Sequence, residues 1–159
     1  MSSRKHLGKR IEDLGKQIDV ALAWLDLDIP ADPVEFFKTV LHIEPYPYQV
    51  DFLQDPSPLK VLRWCRRAGK TTVMSGSDIH FAAFHPGAVI IITMPKFGQI
   101  KEIYFQGEAG LHAHLARMDD KVYDVLIEEE LQTIIRFRNK AMIIPETPEP
   151  FTIRGHGLS

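Results

Sequence analysis

The sequence predicts an α/β fold in which a parallel sheet is flanked by helices. In the middle of the chain, residues 59–65 (LKVLRWC) and 88–94 (AVIIITM) are compact apolar runs, and a longer helical stretch follows each. Parallel strands joined by right-handed helical crossovers produce this alternation. The second run is continuously apolar, which is typical of a strand buried on both faces.

The segment before the first predicted strand is predicted to be helical. Residues 5–27 form an amphipathic helix, because apolar residues recur at spacings of three and four, at Leu7, Ile11, Leu14, Ile18, Leu22 and Leu25. The sequence DIPADP ends this helix, and Pro33 opens a second over residues 34–42, because proline fits a first helical turn. A third short helix is predicted over residues 48–54.

Two longer helices and a hairpin complete the predicted elements. The helices run from Gly69 to about His85 and over residues 97–118. The β-rich runs QTIIRFRN and AMIIPET meet at Asn139 and Lys140, and asparagine tolerates the left-handed conformation of a tight turn, so a hairpin is expected there. The sequence then stops at FTIRGHGLS with no element to complete the fold, so we expect an N-terminal part of a larger protein.

Composition limits the classes of function. The chain has 159 residues, which suits one modest domain or part of a larger one. A net charge of −2 gives no overall attraction to nucleic acid, so a DNA surface would have to be a local patch. The single cysteine, Cys65, excludes an internal disulfide and indicates a reducing compartment. The longest apolar run, residues 88–94, is too short to span a bilayer.

Gly69, Lys70 and Thr71 lie where a predicted strand meets a predicted helix, and they indicate a phosphate-binding loop. The usual pattern is G-x-x-x-x-G-K-[ST], but Trp64 occupies the position of the opening glycine. Free backbone N–H groups and the helix dipole favour an anion at a helix N-terminus. In this interpretation, Lys70 contacts the β- and γ-phosphates and the Thr71 hydroxyl binds Mg²⁺. The alternative is an ordinary helix capped by a lysine and threonines.

Two arginines precede this glycine. A guanidinium beside the triphosphate stabilises charge on the γ-phosphate oxygens, so Arg66 and Arg67 join Lys70 as candidate catalytic residues. The alternative is that both are solvated surface arginines.

Residues 65–72, CRRAGKTT, resemble the deviant Walker A loop of viral terminase large subunits, the ATPases that pump DNA into procapsids. These loops often lack the opening glycine too. Three further stretches agree in order and spacing: PYPYQVDFL resembles the adenine-binding segment, IIITMPKFGQIKEIY the second strand and its helix, and FTIRGHGLS the turn before Walker B. The resemblance covers residues 44–159 as an incomplete P-loop ATPase domain and leaves residues 1–43 as an N-terminal helical segment.

The resemblance implies a partial P-loop NTPase fold of the RecA type, with ATP and Mg²⁺ as cofactors. Gln49 would hydrogen-bond the adenine, since its amide offers the donor and acceptor that match the N6 and N7 edge, and Tyr48 would pack near the base. The alternative for Gln49 is a helix-surface glutamine. The nucleotide would further contact Ala68, Gly69, Lys70, Thr71 and Thr72.

The resemblance also implies partners. These are double-stranded DNA, a portal protein, a small terminase subunit and, for the full-length parent, further copies in a homo-oligomeric ring. The expected location is the host cytoplasm, without membrane contact.

The acidic Walker B motif of such ATPases is not apparent. The only internal candidate, residues 124–131 (DVLIEEEL), has three apolar residues where four are usual, begins its acids with Glu128, and precedes the hairpin. A solvated acidic run entering the hairpin is the favoured interpretation. We therefore expect a chain truncated before Walker B that does not hydrolyse ATP alone, although its parent is an ATPase that can carry a separate nuclease domain.

Two other functions remain open. One is a fragment of a superfamily 2 helicase-like translocase, which also pairs an upstream glutamine with a Walker A loop. The other is a non-catalytic nucleotide-binding or assembly module. A metal site at His112 and His114 is disfavoured, because residues two apart on a helix point in different directions. Cys65 is expected to be buried rather than nucleophilic.

Overall fold

The computed structural model describes residues 26–146 and, before them, residues 7–12, 14, 15, 18 and 22. The described residues from 7 to 27 are helical, in agreement with the predicted amphipathic helix. The predicted turn at FTIRGHGLS lies outside the described residues. In the part of the chain that is described, no helix has the length and apolar character needed to cross a membrane.

The protein has a mixed α/β fold. From residue 33 to residue 146, its helices are α1 (Pro33–Thr39), α2 (Pro47–Gln54), α3 (Lys70–Phe84), α4 (Phe97–Gln99), α5 (Leu111–Leu115) and α6 (Asp120–Leu126), and a π-helix (Ile100–Phe105) continues α4 directly. The strands are β1 (Val89–Thr93), β2 (Ile127–Glu130), β3 (Ile135–Phe137) and β4 (Met142–Glu146). The short helices predicted around Pro33 and after Pro47 are therefore confirmed, as are the long helix that begins beside Gly69 and the strand at residue 89.

Local side chains define the first helix boundaries. The Asp32 carboxylate accepts from the backbone N–H groups of Val34 at 3.0 Å and Glu35 at 2.9 Å, so it caps α1 while Pro33 occupies the first turn. At α2, the Gln49 side-chain oxygen accepts from the Tyr46 N–H at 2.9 Å. A glutamine three residues into a helix commonly makes this contact with the residue before the helix.

The four strands form one mixed sheet in the order β1-β4-β3-β2. β1 and β4 are parallel, whereas β3 pairs antiparallel with both β4 and β2. The predicted hairpin is confirmed as β3 and β4. Its left-handed residue is Lys140, with φ of 73°, rather than Asn139. Asn139 shapes the turn with its side chain, whose oxygen accepts from the Ala141 N–H at 2.9 Å.

The strand predicted over residues 59–65 is wrong. This segment has no regular secondary structure and pairs with no strand among the described residues, and Leu59 and Val61 are 87% and 85% exposed. A strand needs a hydrogen-bonded neighbour, and the sheet among the described residues contains only β1 to β4. Leu62 and Trp64 instead lie half-buried against the core. The prediction that β1 is buried on both faces is also wrong, because Val89 and Ile91 are exposed. In the described sheet, β1 is an edge strand.

The single helix predicted over residues 97–118 is interrupted. It is observed as α4, the π-helix and α5, separated by a turn at residues 106–110. Side chains at the two turn glycines would collide with the preceding backbone. A Cβ at Gly107 would lie 2.4 Å from the Ile103 carbonyl oxygen, and one at Gly110 would lie 2.5 Å from that of Tyr104. The turn therefore needs glycine at both positions, a requirement that the apolar periodicity does not show.

Helix α3 is the central element of the core. It contacts α1, α2, α5, the π-helix, β1 and β4. It packs tightly against α1 and the residues just after it at Gly76, where a Cβ would lie 2.4 Å from Cζ of Phe37 and 3.0 Å from Cδ1 of Leu41. Both of these side chains are almost fully buried. Glycine at this position therefore sets the distance between the two helices.

We expect Gly76→Ala to lower the free energy of unfolding. Alanine gains up to about 1 kcal/mol of helix propensity over glycine, but overpacking a buried contact costs about 1–3 kcal/mol. The matched control is Gly98→Ala, because Gly98 is also helical and has open space around its Cβ position. Urea unfolding measures both variants. Equal stabilisation by the two substitutions would contradict the close packing of α3 on Phe37.

Candidate phosphate-binding loop

Residues 64–70 form a loop that leads from the irregular segment at residues 59–63 to the N-terminus of α3. Arg67 and Gly69 both have left-handed backbones, with φ of 62° and 72°. Left-handed residues in turns occur in loops whose successive backbone N–H groups form a concave, anion-binding surface. Glycine is needed at position 69 for two reasons. The left-handed φ disfavours residues with a side chain, and a Cβ there would lie 2.5 Å from Nε2 of Gln49.

The backbone N–H groups at the start of α3 are free to bind an anion. The first hydrogen bond that returns to the loop runs from the Val73 N–H to the Gly69 carbonyl, at 3.0 Å. Among the residues that the structure describes, the N–H groups of Lys70, Thr71 and Thr72 have no acceptor. Because α3 has 15 residues, its dipole adds partial positive charge at this end.

The Lys70 side chain folds back over the loop. Its ammonium group donates to the carbonyl oxygens of Trp64 at 3.0 Å and Cys65 at 2.7 Å. These contacts place the positive charge inside the ring formed by residues 64–70. An ammonium group has three donors, so Lys70 retains one for another oxygen while it holds the loop closed.

Helix α2 holds the loop from the other side. The Tyr48 hydroxyl and the Gln49 side-chain N–H each donate to the Ala68 carbonyl oxygen, both at 3.2 Å. Gln49 is only 5% exposed, so the alternative interpretation of a helix-surface glutamine is wrong. Its amide retains one N–H and one lone pair beyond these contacts, and its position links α2 directly to the candidate loop.

Aromatic side chains surround this junction. Trp64, in the position of the missing glycine, makes edge contacts with Tyr48 at a centroid distance of 5.0 Å and with Phe52 at 6.1 Å. Tyr46 stacks on Tyr48 at 5.7 Å, and both tyrosines present exposed ring surface. Trp64 therefore anchors the start of the loop to α2 through packing, where a glycine would give only backbone freedom.

The remaining predicted site residues lie on the loop or in the first turn of α3. Arg66 and Arg67 are exposed, and neither has an ion-pair partner in the described part of the chain. The Thr71 and Thr72 side chains are half-buried in the first turn of α3. Cys65, which the sequence predicts to be buried, is exposed. The reason is that the segment before the loop has no strand neighbour to cover it.

The internal Walker B candidate lies at the far edge of the sheet. Glu128 and Glu129 are on β2, which β3 and β4 separate from β1. Both acids are used in exposed ion pairs, Glu128 with Lys140 at 3.1 Å and Glu129 with Arg136 at 3.4 Å. This geometry agrees with the interpretation of a solvated acidic run that enters the hairpin.

A buried polar cluster behind the loop was not predicted. The Ser75 hydroxyl lies 2.7 Å from the Thr71 carbonyl and 2.9 Å from that of Ala109, and His114 Nε2 lies 2.9 Å from the same hydroxyl. Arg117 donates to His114 Nδ1 at 3.3 Å. Burial, reinforced by the Arg117 charge, lowers the pKa of His114 to about 4. A neutral histidine therefore fixes the first turns of α3 to α5.

A second unpredicted contact joins α3 to the π-helix. The Tyr104 hydroxyl donates to the Asp78 carboxylate. Burial raises the pKa of Asp78 to about 6, and the hydrogen bond from Tyr104 offsets only part of this effect. No pattern in the sequence marks these residues, because their pairing depends on the π-helical register. Elsewhere, His112 and Tyr123 both contact Glu130, and the described residues contain no group of three or more potential metal-ligating side chains.

Comparison with protein-family models gives no match for this chain, and comparison with curated proteins gives none either.

The Asp78 carboxyl makes stability depend on pH. The pKa of Asp78 is higher in the folded protein than in the unfolded chain. The contribution of this carboxyl to the free energy of unfolding is therefore most favourable at low pH and is lost as the pH rises toward 6. Between pH 4.5 and 7.5, wild type should lose about 2 kcal/mol of unfolding free energy relative to Asp78→Asn. Urea unfolding at both pH values measures this difference. The exposed Asp51→Asn is the control, and an equal pH dependence of wild type and Asp78→Asn would refute the assignment.

Proposed function

We propose that residues 64–72, which comprise the loop and the start of α3, bind the phosphates of ATP with Mg²⁺. We further propose that the chain is the ATP-binding N-terminal part of a DNA-packaging motor of the terminase type. The observation that carries the proposal is the convergence of free backbone N–H groups, the dipole of α3 and the Lys70 ammonium at one loop. Each of these features favours a multiply charged anion such as a triphosphate.

Each residue at the loop has a defined task in this proposal. The N–H groups of Lys70, Thr71 and Thr72 donate to phosphate oxygens, and Lys70 exchanges one or both carbonyl contacts for the β- and γ-phosphates. The Thr71 side chain has no hydrogen-bond partner among the described residues, so its hydroxyl is free to bind Mg²⁺. Arg66 and Arg67 lie on the solvent side of the loop, from which one of them stabilises charge on the γ-phosphate.

Adenine recognition is assigned to α2. The remaining donor and acceptor of the Gln49 amide match the N6 and N7 edge of adenine, and the exposed rings of Tyr46 and Tyr48 offer a surface for the base. Because Gln49 also donates to the Ala68 carbonyl, the base and the phosphate loop share one side chain. Base binding and loop geometry are therefore coupled.

The wider function rests on the resemblance of residues 44–159 to terminase large subunits. In that setting, the parent ATPase couples hydrolysis to movement of double-stranded DNA, together with a portal protein and a small subunit. A module that binds nucleotide without turnover is the second candidate. It is favoured by the position of Glu128 and Glu129, which are held in ion pairs at the sheet edge away from β1.

We expect Lys70→Ala to abolish measurable binding of Mg·ATP. Charge-assisted hydrogen bonds contribute about 1.5–3 kcal/mol each, and the substitution also removes the contacts that close the loop. The control is Lys60→Ala, which removes an exposed lysine that donates to the Phe52 carbonyl. Isothermal titration calorimetry with Mg·ATP measures both. Unchanged affinity in Lys70→Ala would show that the loop is not a phosphate site.

We expect Gln49→Ala to weaken ATP binding more than GTP binding, because only adenine matches the free edge of this amide. Tyr48→Phe is the matched comparison, since it removes the other donor to the Ala68 carbonyl and leaves Gln49 in place. That variant should weaken ATP and GTP equally. Competition binding with both nucleotides measures the ratio, and an equal loss for both nucleotides in Gln49→Ala would limit Gln49 to holding the loop.

A further inference from the structure

The N-terminal helical segment exposes its apolar face. The described apolar residues of this face, all 52–63% exposed, are Leu7, Ile11, Leu14, Ile18 and Leu22. They contact solvent along one side of the helix, while the core of the protein lies elsewhere. An uncovered apolar stripe of this length is unusual for a monomer and marks an interaction surface.

The spacing of this face matches a coiled-coil seam. Leu7 and Leu14 are one heptad apart, and Ile11 and Ile18 form a second series with the same period. In the sequence, Ala21 and Leu25 continue the two series in turn. A strict alternation of four- and three-residue steps gives the 3.5-residue period at which two helices wind around each other.

The residue types select the number and direction of the helices. Ile11 and Ile18 occupy a positions and Leu7 and Leu14 occupy d positions, while Leu25 at a and Ala21 at d depart from this pattern. The combination at the first four seam positions, a β-branched residue at a with leucine at d, favours parallel two-stranded coiled coils. The flanking positions agree with an in-register pair. Arg10 is at g and would face the e position of the partner's next heptad, which is occupied by Gly15, so like charges do not meet.

The segment also lacks the means to be stable as a solitary helix. Isolated helices of about 12–15 residues or fewer are marginal in water, and even longer ones need good helix formers. Gly8 and Gly15 both lie in its helical part, and each costs about 1 kcal/mol relative to alanine. Burial of the seam against a second helix supplies the missing stabilisation.

We propose that the N-terminal helical segment pairs with the same segment of a second copy of this chain as a parallel, in-register coiled coil. The seam is self-complementary, so each copy supplies both the a and d side chains and the pairing closes as a dimer. This surface does not include the phosphate loop, so the proposal is independent of nucleotide binding.

Sedimentation velocity of the full chain over a concentration series tests the proposal. Wild type should shift from monomer to dimer as concentration rises, whereas Ile11→Glu and Ile18→Glu should each remain monomeric over the same range. The control is Lys9→Glu, which places glutamate at the outward f position and should dimerise like wild type. Thermal unfolding followed by near-ultraviolet circular dichroism checks that each variant keeps its folded core.

Cross-linking tests the direction. In a Cys65→Ser background, Leu7→Cys should form a disulfide between two copies under mild oxidation, because equivalent d positions meet only in a parallel, in-register pair. Lys9→Cys should not cross-link. A wild-type chain that stays monomeric, a dimer that survives Ile11→Glu, a trimer, or failure of Leu7→Cys to cross-link would overturn the proposal.

Discussion

Burial of helix α3 on several sides is the constraint on which the rest of the structure depends. On one side Gly76 admits the Phe37 ring, on another Ser75 is bonded toward Ala109 and His114, and the sheet packs alongside. At the C-terminal end, the Asn139 side-chain N–H groups donate to the carbonyls of Ala82 and Ala83, both at 2.8 Å. These are carbonyls that a helix end leaves without partners, so the hairpin turn also caps α3.

This fixed helix gives the loop at its N-terminus a defined position. A loop of seven residues with two left-handed positions has a large conformational entropy to lose. Three sets of contacts offset that loss: Tyr48 and Gln49 of α2 donate to the Ala68 carbonyl, Trp64 packs on Tyr48, and Lys70 donates to the carbonyls at the start of the loop. If the loop binds an anion as proposed, this fixed geometry lowers the cost of binding.

Local patterns predicted the elements that local physics determines. Pro33, the apolar run at residue 89 and the β-rich runs around Asn139 each specify an element by its own residues, and the structure contains all three. The failures depend on distant partners. Residues 59–65 have the composition of a strand but no neighbour, and the helix after Phe97 breaks because Gly107 and Gly110 pass close to carbonyls. At the candidate site, the G-K-T motif pointed to Lys70 and the family resemblance to Gln49, and the structure places both beside the same loop. The Asp78–Tyr104 and Ser75–His114 contacts join segments whose relative position no sequence spacing reveals.

The proposed function depends on phosphate binding by the backbone N–H groups at the N-terminal end of α3. The most direct measurement is a titration of the ¹⁵N-labelled chain with Mg·ATP, followed by two-dimensional NMR of the backbone amides. The largest chemical-shift changes should occur at Gly69, Lys70, Thr71 and Thr72, because their N–H groups gain phosphate acceptors. Saturable binding that leaves these four amides unshifted, or no binding at all, would contradict the account.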